Sequence, residues 1–295
     1  MSSPGDLPPA SVVVPVYNGQ ASLRECLDSL LRLRYPADRL ELLVVDNGST
    51  DDTPAILESL RDRIRVLREA KRGPSAARNC GIRAAGGECI ALTDADCVVD
   101  PDWLAELVRP LASADVGVSG GRILSMRPCN RIERFGERIH DHRRALEEFE
   151  PPYAISMNWA SRRSVLLDVG LFDESLLRGE DVDLAWRIRA AGFRLVYRDT
   201  ALVHHRNERT LRGLLAEGYA HGYHAVAVRR KHGATLGSDP SLRYFPVRPL
   251  LRDAGGLIRG AGPIESLCAF VFDLGKAIGH FRAPSRPAAP TEPDS

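Results

Sequence analysis

Two aspartates, Asp94 and Asp96, stand one residue apart directly after the apolar run Cys89–Thr93. Carboxylates at this spacing can share one hard divalent cation, or one can bind a ribose while the other binds the metal. Mg²⁺ and Mn²⁺ prefer such oxygen ligands and keep coordination positions for substrate phosphates. A D-x-D pair is common in loops, so its value as evidence for a metal site depends on the strand that precedes it.

Three more carboxylates, those of Glu180, Asp181 and Asp183, open a segment of helical character that ends at Gly192. A carboxylate in the first turn of a helix is stabilised by the helix dipole, and its commonest role is an N-cap. A carboxylate at a binding site can instead accept a proton as a general base. The residues alone leave both interpretations open.

Two histidines, His204 and His205, are adjacent in a segment that resembles a strand. Successive side chains of a strand point to opposite faces. Only one of the two can therefore face a site that also contains the aspartates.

The elements that must position these residues alternate along the first 110 residues. Apolar runs predict four strands, at Ser11–Tyr17, Leu40–Val45, Arg63–Leu67 and Cys89–Thr93. Helical patterns lie between them, beginning at a Ser22/Glu25 capping box, at Thr53 and at about Ser75. This order predicts a doubly wound α/β domain, in which ligands bind at the carboxyl ends of the strands.

The remainder of the chain is less regular. It predicts short strands within Asp115–Gly121 and Phe193–Tyr197, helical segments at Arg131–Glu148 and from Asn158 to Asp168, and a helix over Leu211–His232 broken near Gly218 and Gly222. The aromatic ring of Trp159, next to Asn158, fits either stacking on a ligand or packing in the core. The amphipathic segment Pro263–Phe281 predicts a helix that closes the core or rests on a membrane surface. The Pro-rich residues 283–295 predict a disordered tail.

Composition excludes several classes of protein. The 295 residues carry a net charge of +1, which does not indicate a nucleic-acid partner. Six cysteines without C-x-x-C spacing argue against a zinc ribbon or a disulfide framework and for reduced thiols. The first ten residues lack the basic and apolar regions of a signal peptide, and no apolar run reaches the roughly 18 residues of a spanning helix. We expect a cytoplasmic protein.

Several sequence blocks, in order, resemble the family 2 glycosyltransferases. They are SVVVPVYN, LLVVDNGSTDDT, GPSAARNCGI, ALTDADCVV, NWASRRSVLLDVGLFDE, GEDVDLAWRIRAAGF and ALVHHRNERTLRGLL. The resemblance covers about residues 10–232 and implies a GT-A fold, which is Rossmann-like with a mostly parallel central sheet flanked by helices. It also implies inverting transfer from a nucleotide sugar with Mn²⁺ or Mg²⁺ at the diphosphate. We expect the nucleotide-sugar half at 10–110, the acceptor half at 111–232 and a helical C-terminal extension at 233–282.

The resemblance assigns a role to each candidate residue. It implies a nucleoside pocket formed by Pro15, Tyr17 and Asp46, and a phosphate site at the start of the third helix formed by Ser75, Arg78 and Asn79. It also implies that Asp94 binds the ribose or the metal, that Asp96 and His205 are the metal pair, and that Asp181 is the catalytic base. The alternative for Asp46 is a turn cap, and that for Arg78 is an ion pair with a carboxylate at the sheet edge. The chain has Asn47 where the family often has aspartate, which affects the charge of the pocket.

Two other functions remain open at this point. A nucleotidyltransferase would share the sheet and the metal, but the loop after the first strand, PVYNGQAS, lacks the arginine such enzymes use. Loss of Asp96 or Asp181 would indicate a non-catalytic nucleotide-sugar-binding module, and both residues are present. The resemblance favours a UDP-sugar donor and a saccharide or lipid-linked acceptor. It also favours a role in cell-surface polysaccharide or glycolipid synthesis, with peripheral contact at the inner face of the membrane as an option.

Overall fold

A computed structural model describes residues 7–233 and 263–283. The chain divides into two compact units, Met1–Pro128 with Gly136–Asn207 and Cys129–Phe135 with Glu208–Ser295. The domain limits expected from the sequence stay predictions. The expected disordered tail lies outside the described residues except for Ala283, as do residues 234–262 of the C-terminal extension.

The first unit is built on an eight-stranded sheet. Its strands are β1 Ala10–Val16, β2 Leu40–Asp46, β3 Arg65–Arg68, β4 Cys89–Leu92, β5 Cys97–Val99, β6 Val116–Ser125, β7 Trp159–Arg162 and β8 Arg194–His205. They lie in the order β3-β2-β1-β4-β7-β6-β8-β5. Strands β3, β2, β1 and β4 are parallel, as are β6 and β8, whereas β7 is antiparallel to both its neighbours and β5 is antiparallel to β8. The predicted α/β class is confirmed.

The helices of the described residues are α1 Leu23–Leu30, α2 Thr53–Glu58, α3 Pro74–Ala84, α4 Trp103–Val108, α5 Arg131–Ile139, α6 His142–Glu147, α7 Arg163–Asp168, α8 Glu180–Ala190, α9 Leu211–His232 and α10 Pro263–Arg282. Helices α1–α8 lie in the connections between these strands, and α9 and α10 follow the last strand. The first helix begins near the predicted position. However, the Ser22 hydroxyl makes no capping hydrogen bond in the described structure, so the predicted capping box is wrong.

Strand β1 shows why a nearly unbroken apolar run forms this sheet. Val12 and Val14 belong to the apolar cluster that contains Leu27 of α1, whereas Val13 belongs to the cluster that contains Ala77 of α3. Both faces of the strand are therefore covered by helices, and alternation of apolar and polar residues is absent because neither face meets water.

Two strands were not predicted, and both matter for the site. Strand β5 has only three residues, too few to show a periodicity. Strand β7 lies in the segment that the sequence assigned to a helix, because Ser161 and Arg162 break its apolar pattern. Its place is set by pairing, since it lies between β4 and β6 in the sheet.

In the second unit, α9 is one continuous helix, so the predicted break near Gly218 and Gly222 is wrong. A Cβ at either glycine would overlap a backbone carbonyl oxygen of α10, that of Phe272 or that of Lys276. Gly218 meets Phe272 and Gly222 meets Lys276, so residue numbers increase in the same direction along both helices and the helices are parallel. The glycines serve close helix packing, as small residues at four-residue spacing do elsewhere.

The packing of α10 on α9 accounts for the buried side of the predicted amphipathic segment. The outer side keeps apolar residues, with Phe281 68% and Ile278 38% exposed. None of the helices in residues 7–233 and 263–283 combines the length and apolar character needed to cross a membrane.

Candidate functional site

A cleft of about 800 Å³ opens at the carboxyl edge of the parallel strands. β1 and β2 end side by side there, because Val16 pairs with Asp46, and β4 ends nearby at Leu92, which pairs with Val13 and lies two residues before Asp94. The sequence predicts the ligand site at this edge. The side chains that bear on function and line the cleft are Pro15, Tyr17, Asn47, Arg72, Arg78, Asp94, Asp96 and Arg178.

One part of the cleft wall is aromatic. The Tyr17 side chain is 54% exposed, and the Arg72 guanidinium lies 4.2 Å from the centre of its ring. Arg72 also donates to the carbonyl oxygen of Asn47 at 3.2 Å. A flat ring backed by a cation can stack on a planar heterocycle.

Asp46 and Asn47 organise the loops at the end of β2. Both are buried, and Asp46 Oδ1 accepts from the Ser49 N–H at 2.9 Å, as the turn-cap interpretation expects. Asn47 Nδ2 donates to the carbonyl oxygens of Glu69 and Lys71, and its Oδ1 accepts from the Gly73 N–H. A carboxylate could not donate those two bonds, which explains asparagine here. Base recognition by Asp46 stays a prediction.

The start of α3 holds the segment that leads into α8. Ser75 Oγ donates to the Leu176 carbonyl at 3.3 Å, and Asn79 Nδ2 donates to the Phe172 carbonyl and to Glu174 Oε1, both at 2.9 Å. Ser75 and Asn79 are buried. Their side chains thus anchor the polypeptide before the acidic cluster, and phosphate binding by these two residues stays a prediction.

Arg78 joins the two acidic regions of the site. Its side chain is 4% exposed and donates to Asp94 Oδ1 and to Glu180 Oε1, each at 2.7 Å. Burial acts to lower the pKa of Arg78, but the charges of Asp94 and Glu180 outweigh it and raise the pKa above its usual range. The ion-pair interpretation of Arg78 is the one the geometry shows, and the pair connects the D-x-D loop with α8.

Pairing of β5 with β8 brings Asp96 to His205. Cys97 lies opposite His205 in this antiparallel ladder, and His205 Nε2 is 3.5 Å from Asp96 Oδ2. Burial alone would raise the pKa of Asp96, but its hydrogen bond with the His205 ring lowers it. His204 points the other way and contacts Asp100 Oδ1 at 3.2 Å. Of the two histidines, His205 is beside the aspartates.

Asn207 determines that Nδ1 of the His205 ring carries a hydrogen. The Asn207 amide donates to Ser125 Oγ at 2.9 Å, so its oxygen is left to accept from His205 Nδ1 at 2.7 Å. Burial acts to lower the pKa of His205, but the Asp96 carboxylate and Asn207 outweigh it and raise the pKa to about 9. With Nδ1 as donor, Nε2 is the atom that can bind a metal in place of a proton.

Asp96 and His205 fit a shared divalent cation. Two ligands at right angles, each about 2.1 Å from one ion, lie about 3.0 Å apart, so the 3.5 Å between Oδ2 and Nε2 would close by roughly 0.5 Å around an octahedral ion. Across the part of the chain that the structure describes, no three His, Cys, Asp or Glu side chains are grouped to hold a metal by themselves. The remaining ligands would have to come from substrate phosphates and water, as is usual for Mg²⁺.

Asp181 lies in the first turn of α8, after Gly179, whose φ of +77° favours glycine. Its carboxylate accepts from the Val182 N–H at 2.8 Å and the Ser156 N–H at 3.2 Å. Burial and the adjacent charge of Glu180 raise the pKa of Asp181 from 3.8 to about 7. A carboxylate with a pKa near 7 has the basicity that general-base catalysis requires.

Comparison with known proteins identifies the family. The model of the family described as "Glycosyl transferase family 2" matches residues 11–170. The chain belongs to glycosyl transferase family 2.

Two relatives of this family 2 glycosyltransferase show how far the likeness extends. Glycosyltransferase AglE of Haloferax volcanii is 32% identical over 197 residues, which cover 65% of this chain and 64% of that protein. Pre-mycofactocin glycosyltransferase of Mycobacterium tuberculosis is 33% identical over 235 residues, covering 75% of this chain and 48% of that protein. The chain therefore spans about half to two thirds of the length of these relatives.

Solved structures confirm the predicted GT-A fold. The mannosyltransferase PcManGT from Pyrobaculum calidifontis, in complex with GDP-Man and Mn²⁺, superposes with a TM-score of 0.69 at 22% identity over 95% of this chain and 88% of that one. Residues 1–349 of Staphylococcus aureus TarS in complex with UDP give a TM-score of 0.55 at 20% identity, covering 92% and 91% of the chains. At these identities the likeness shows the fold alone.

The structure of this family 2 glycosyltransferase also corrects and extends the predicted site. Trp159 is fully buried against Phe172, so the core interpretation of this residue is right and sugar stacking is excluded. Sequence patterns did not single out Arg178, which lines the cleft, or Asn207, which orients His205. Asn207 lies two residues after His205, a proximity that becomes informative only once the strand is known to end there.

Proposed function

We propose that the chain is an inverting glycosyltransferase that moves a sugar from a nucleoside diphosphate donor to an acceptor hydroxyl with the help of a divalent cation. The observation that carries the proposal is the buried Arg78 bridge, 2.7 Å from both Asp94 and Glu180. The bridge connects the D-x-D loop, which is suited to a metal and a diphosphate, with the first residue of α8, Glu180. The residue after Glu180 is Asp181, which has the pKa of a general base.

The donor occupies the 800 Å³ cleft at the carboxyl edge of the sheet. The nucleobase stacks at Tyr17 and Pro15, where the aromatic wall is exposed, and Asp94 holds the ribose or helps to hold the metal. PcManGT in complex with GDP-Man and TarS in complex with UDP share this fold, which supports a nucleotide-sugar donor. UDP is the preferred nucleotide on the grounds of family resemblance.

Asp96 and His205 would hold the metal, Mn²⁺ or Mg²⁺. When bound, the cation offsets the negative charge that develops on the departing diphosphate. Asp96 supplies an anionic oxygen and His205 a nitrogen whose orientation Asn207 sets. A mixed oxygen and nitrogen ligand set tolerates Mn²⁺ better than Mg²⁺.

Asp181 accepts the proton of the acceptor hydroxyl. The acceptor oxygen forms its new bond to the anomeric carbon as the bond from that carbon to the diphosphate oxygen breaks, and the leaving nucleotide keeps the electron pair. Attack on the face opposite the leaving group inverts the anomeric configuration. A carboxylate that is partly buried and raised to a pKa of about 7 binds this proton far better than an ordinary aspartate does.

The acceptor is a saccharide or a lipid-linked saccharide, and the product contributes to cell-surface polysaccharide or glycolipid. The exposed Phe281 and Ile278 on α10, with Arg282 beside them, support contact of the second unit with a membrane surface. Sedimentation of the protein with anionic vesicles measures this contact, and Phe281→Ser should weaken it.

The primary experiment is a thermal-shift screen of UDP, GDP and dTDP, each with Mn²⁺ and with EDTA. A ligand at about 100 times its Kd adds roughly 2.7 kcal/mol of stability. The proposal expects a shift with one nucleotide that requires the cation, followed by sugar transfer from the matching donor with inverted stereochemistry. Metal-dependent nucleotide binding without transfer or donor hydrolysis would instead indicate a non-catalytic binding module.

A further inference from the structure

The segment Ile155–Asn158 lies beside the carboxylate of Asp181. Ser156 donates its backbone N–H to Asp181 Oδ2 at 3.2 Å, and Val182 donates to Oδ1 at 2.8 Å. Val182 belongs to the same helix as Asp181. Among the contacts of the described residues, the bond from Ser156 is thus the one that orients this carboxylate against a different part of the chain.

His142 of α6 fixes the residue before Ser156. Its ring is 2% exposed, and Nδ1 lies 2.8 Å from the Gly121 carbonyl oxygen. A carbonyl only accepts, so Nδ1 carries the hydrogen and Nε2 is free to accept from the Ile155 N–H at 2.9 Å. Burial lowers the pKa of His142 to about 3, which keeps the ring neutral and this tautomer intact.

The other end of the segment is held as firmly, by Asn158. Its amide donates to the carbonyl oxygens of Arg122 and Ala201 at 2.8 and 3.0 Å. Room for both anchors comes from the glycine pair of β6. A Cβ at Gly120 would lie 2.6 Å from His142 Cε1, and one at Gly121 would lie 2.6 Å from Asn158 Nδ2.

We propose that His142 is a positioning residue for the base: by binding the Ile155 N–H it holds the Ser156 N–H against the carboxylate of Asp181. Its catalytic consequence rests on the proposed function, because it requires Asp181 to be the base. The structural part of the proposal, that the order of the Ser156 amide depends on His142, does not require any transfer activity.

Two substitutions by neutral amides, His142→Gln and His142→Asn, each keep one of the two hydrogen bonds of the His142 ring. In His142→Gln the side-chain oxygen reaches the position of Nε2 and can accept from Ile155. In His142→Asn the shorter amide reaches the position of Nδ1, so it can donate to Gly121 but leaves the Ile155 N–H without an acceptor. Both variants are smaller than histidine and polar, so each controls for the loss of ring volume in the other.

Transfer kinetics should separate the variants. We expect His142→Asn to lower kcat by about tenfold to a hundredfold, as misplacement of a catalytic group does, with the donor Kd unchanged. The midpoint of its pH–rate profile should move to higher pH, since Asp181 loses a donor that stabilises its ionised form. The groups that face Asp181, namely Glu180, Arg78 and Tyr153, are the same in both variants. His142→Gln should retain most of kcat and the original midpoint.

Hydrogen exchange of the Ser156 amide, measured by NMR, tests the positioning without reference to transfer. We expect protection to fall in His142→Asn and to be retained in His142→Gln. Equal exchange and equal kcat in the two variants would overturn the proposal. If Asp181→Asn kept normal transfer, the proposed base would be wrong while the exchange result still stood.

Ser156→Pro provides a second test that does not depend on the stability of the His142 variants. Ser156 is the first residue of a short helical turn, where proline is tolerated. The substitution removes the N–H that binds Asp181, so it should reproduce the upward shift of the pH midpoint. A folded Ser156→Pro protein with an unshifted midpoint would refute the role of this N–H.

Discussion

Replacing Asp181 by asparagine should have opposite effects on activity and on stability. Asp181→Asn preserves the shape of the side chain, but its single amide oxygen can accept from only one of the Val182 and Ser156 N–H groups, which bind Oδ1 and Oδ2 of the carboxylate. It removes the basic carboxylate. We expect the donor Kd to stay within a few-fold while kcat falls by about 10²–10⁴, the usual contribution of a general base.

The stability effect follows from the pKa of Asp181, which rises from 3.8 to about 7 on folding. Between these values Asp181 binds more protons in the folded state than in the unfolded state, so its contribution to the stability of the native protein decreases as the pH rises from about 4 to about 7. The shift corresponds to roughly 4 kcal/mol by which the ionised side chain disfavours folding at pH 8. The asparagine side chain carries no charge, so Asp181→Asn should be more stable than the native protein at pH 8, by up to that amount, and equal to it near pH 4.

The assay is urea unfolding at pH 4, 6 and 8, together with donor calorimetry and kcat for the same two proteins. A helix cap without catalytic function predicts the reverse pattern. A capping carboxylate favours its charged form, so its replacement by asparagine would be neutral or destabilising at pH 8 and would leave kcat unchanged. That result would refute the assignment of Asp181 as the base. The native pH–rate profile should rise with pH, with a midpoint near 7.

Three further substitutions test the rest of the site. Asp96→Ala should abolish the metal dependence of nucleotide binding and leave the fold intact; calorimetry with Mn²⁺ and with EDTA checks this, and unaltered Mn²⁺-dependent binding would contradict it. His205→Ala should remove the preference for Mn²⁺ over Mg²⁺, measured as the cation concentration for half-maximal activity, whereas an unchanged preference would make His205 structural. Arg78→Met should destabilise the protein by about 3–5 kcal/mol in urea unfolding, because it leaves Asp94 and Glu180 facing a buried site without their cation; a loss below about 1 kcal/mol would show that the bridge is dispensable.

Local sequence patterns were sufficient for the elements that place the donor cleft. The apolar run of β1 predicts a strand covered on both faces, and the valines at 12–14 are indeed shared between two apolar clusters. Because parallel strands end at one edge, the order of strands and helices alone predicts that Asp46 and Asp94 come together. These inferences depend on periodicity and chain order, which are properties of neighbouring residues.

Contacts between distant residues were beyond such patterns. The residues of β5 and β7 acquire their conformation from the strands beside them, and the pairing of Cys97 with His205 is what brings the metal pair together. The residue types at 218 and 222 predict a break in α9, whereas the close approach of α10 makes glycine the residue that fits.

The sequence by itself determined the family, the fold class and the acidic residues available for chemistry, because these are recorded in motifs and in their spacing. Only the tertiary structure decided what each residue contacts. Arg78 became a bridge between Asp94 and Glu180, 16 and 102 residues away along the chain. Asp181 acquired the pKa of a base from burial and from the charge of Glu180. Burial, and the strength of charges in a buried site, arise when remote segments exclude water from the same place, and no local pattern of residues specifies that.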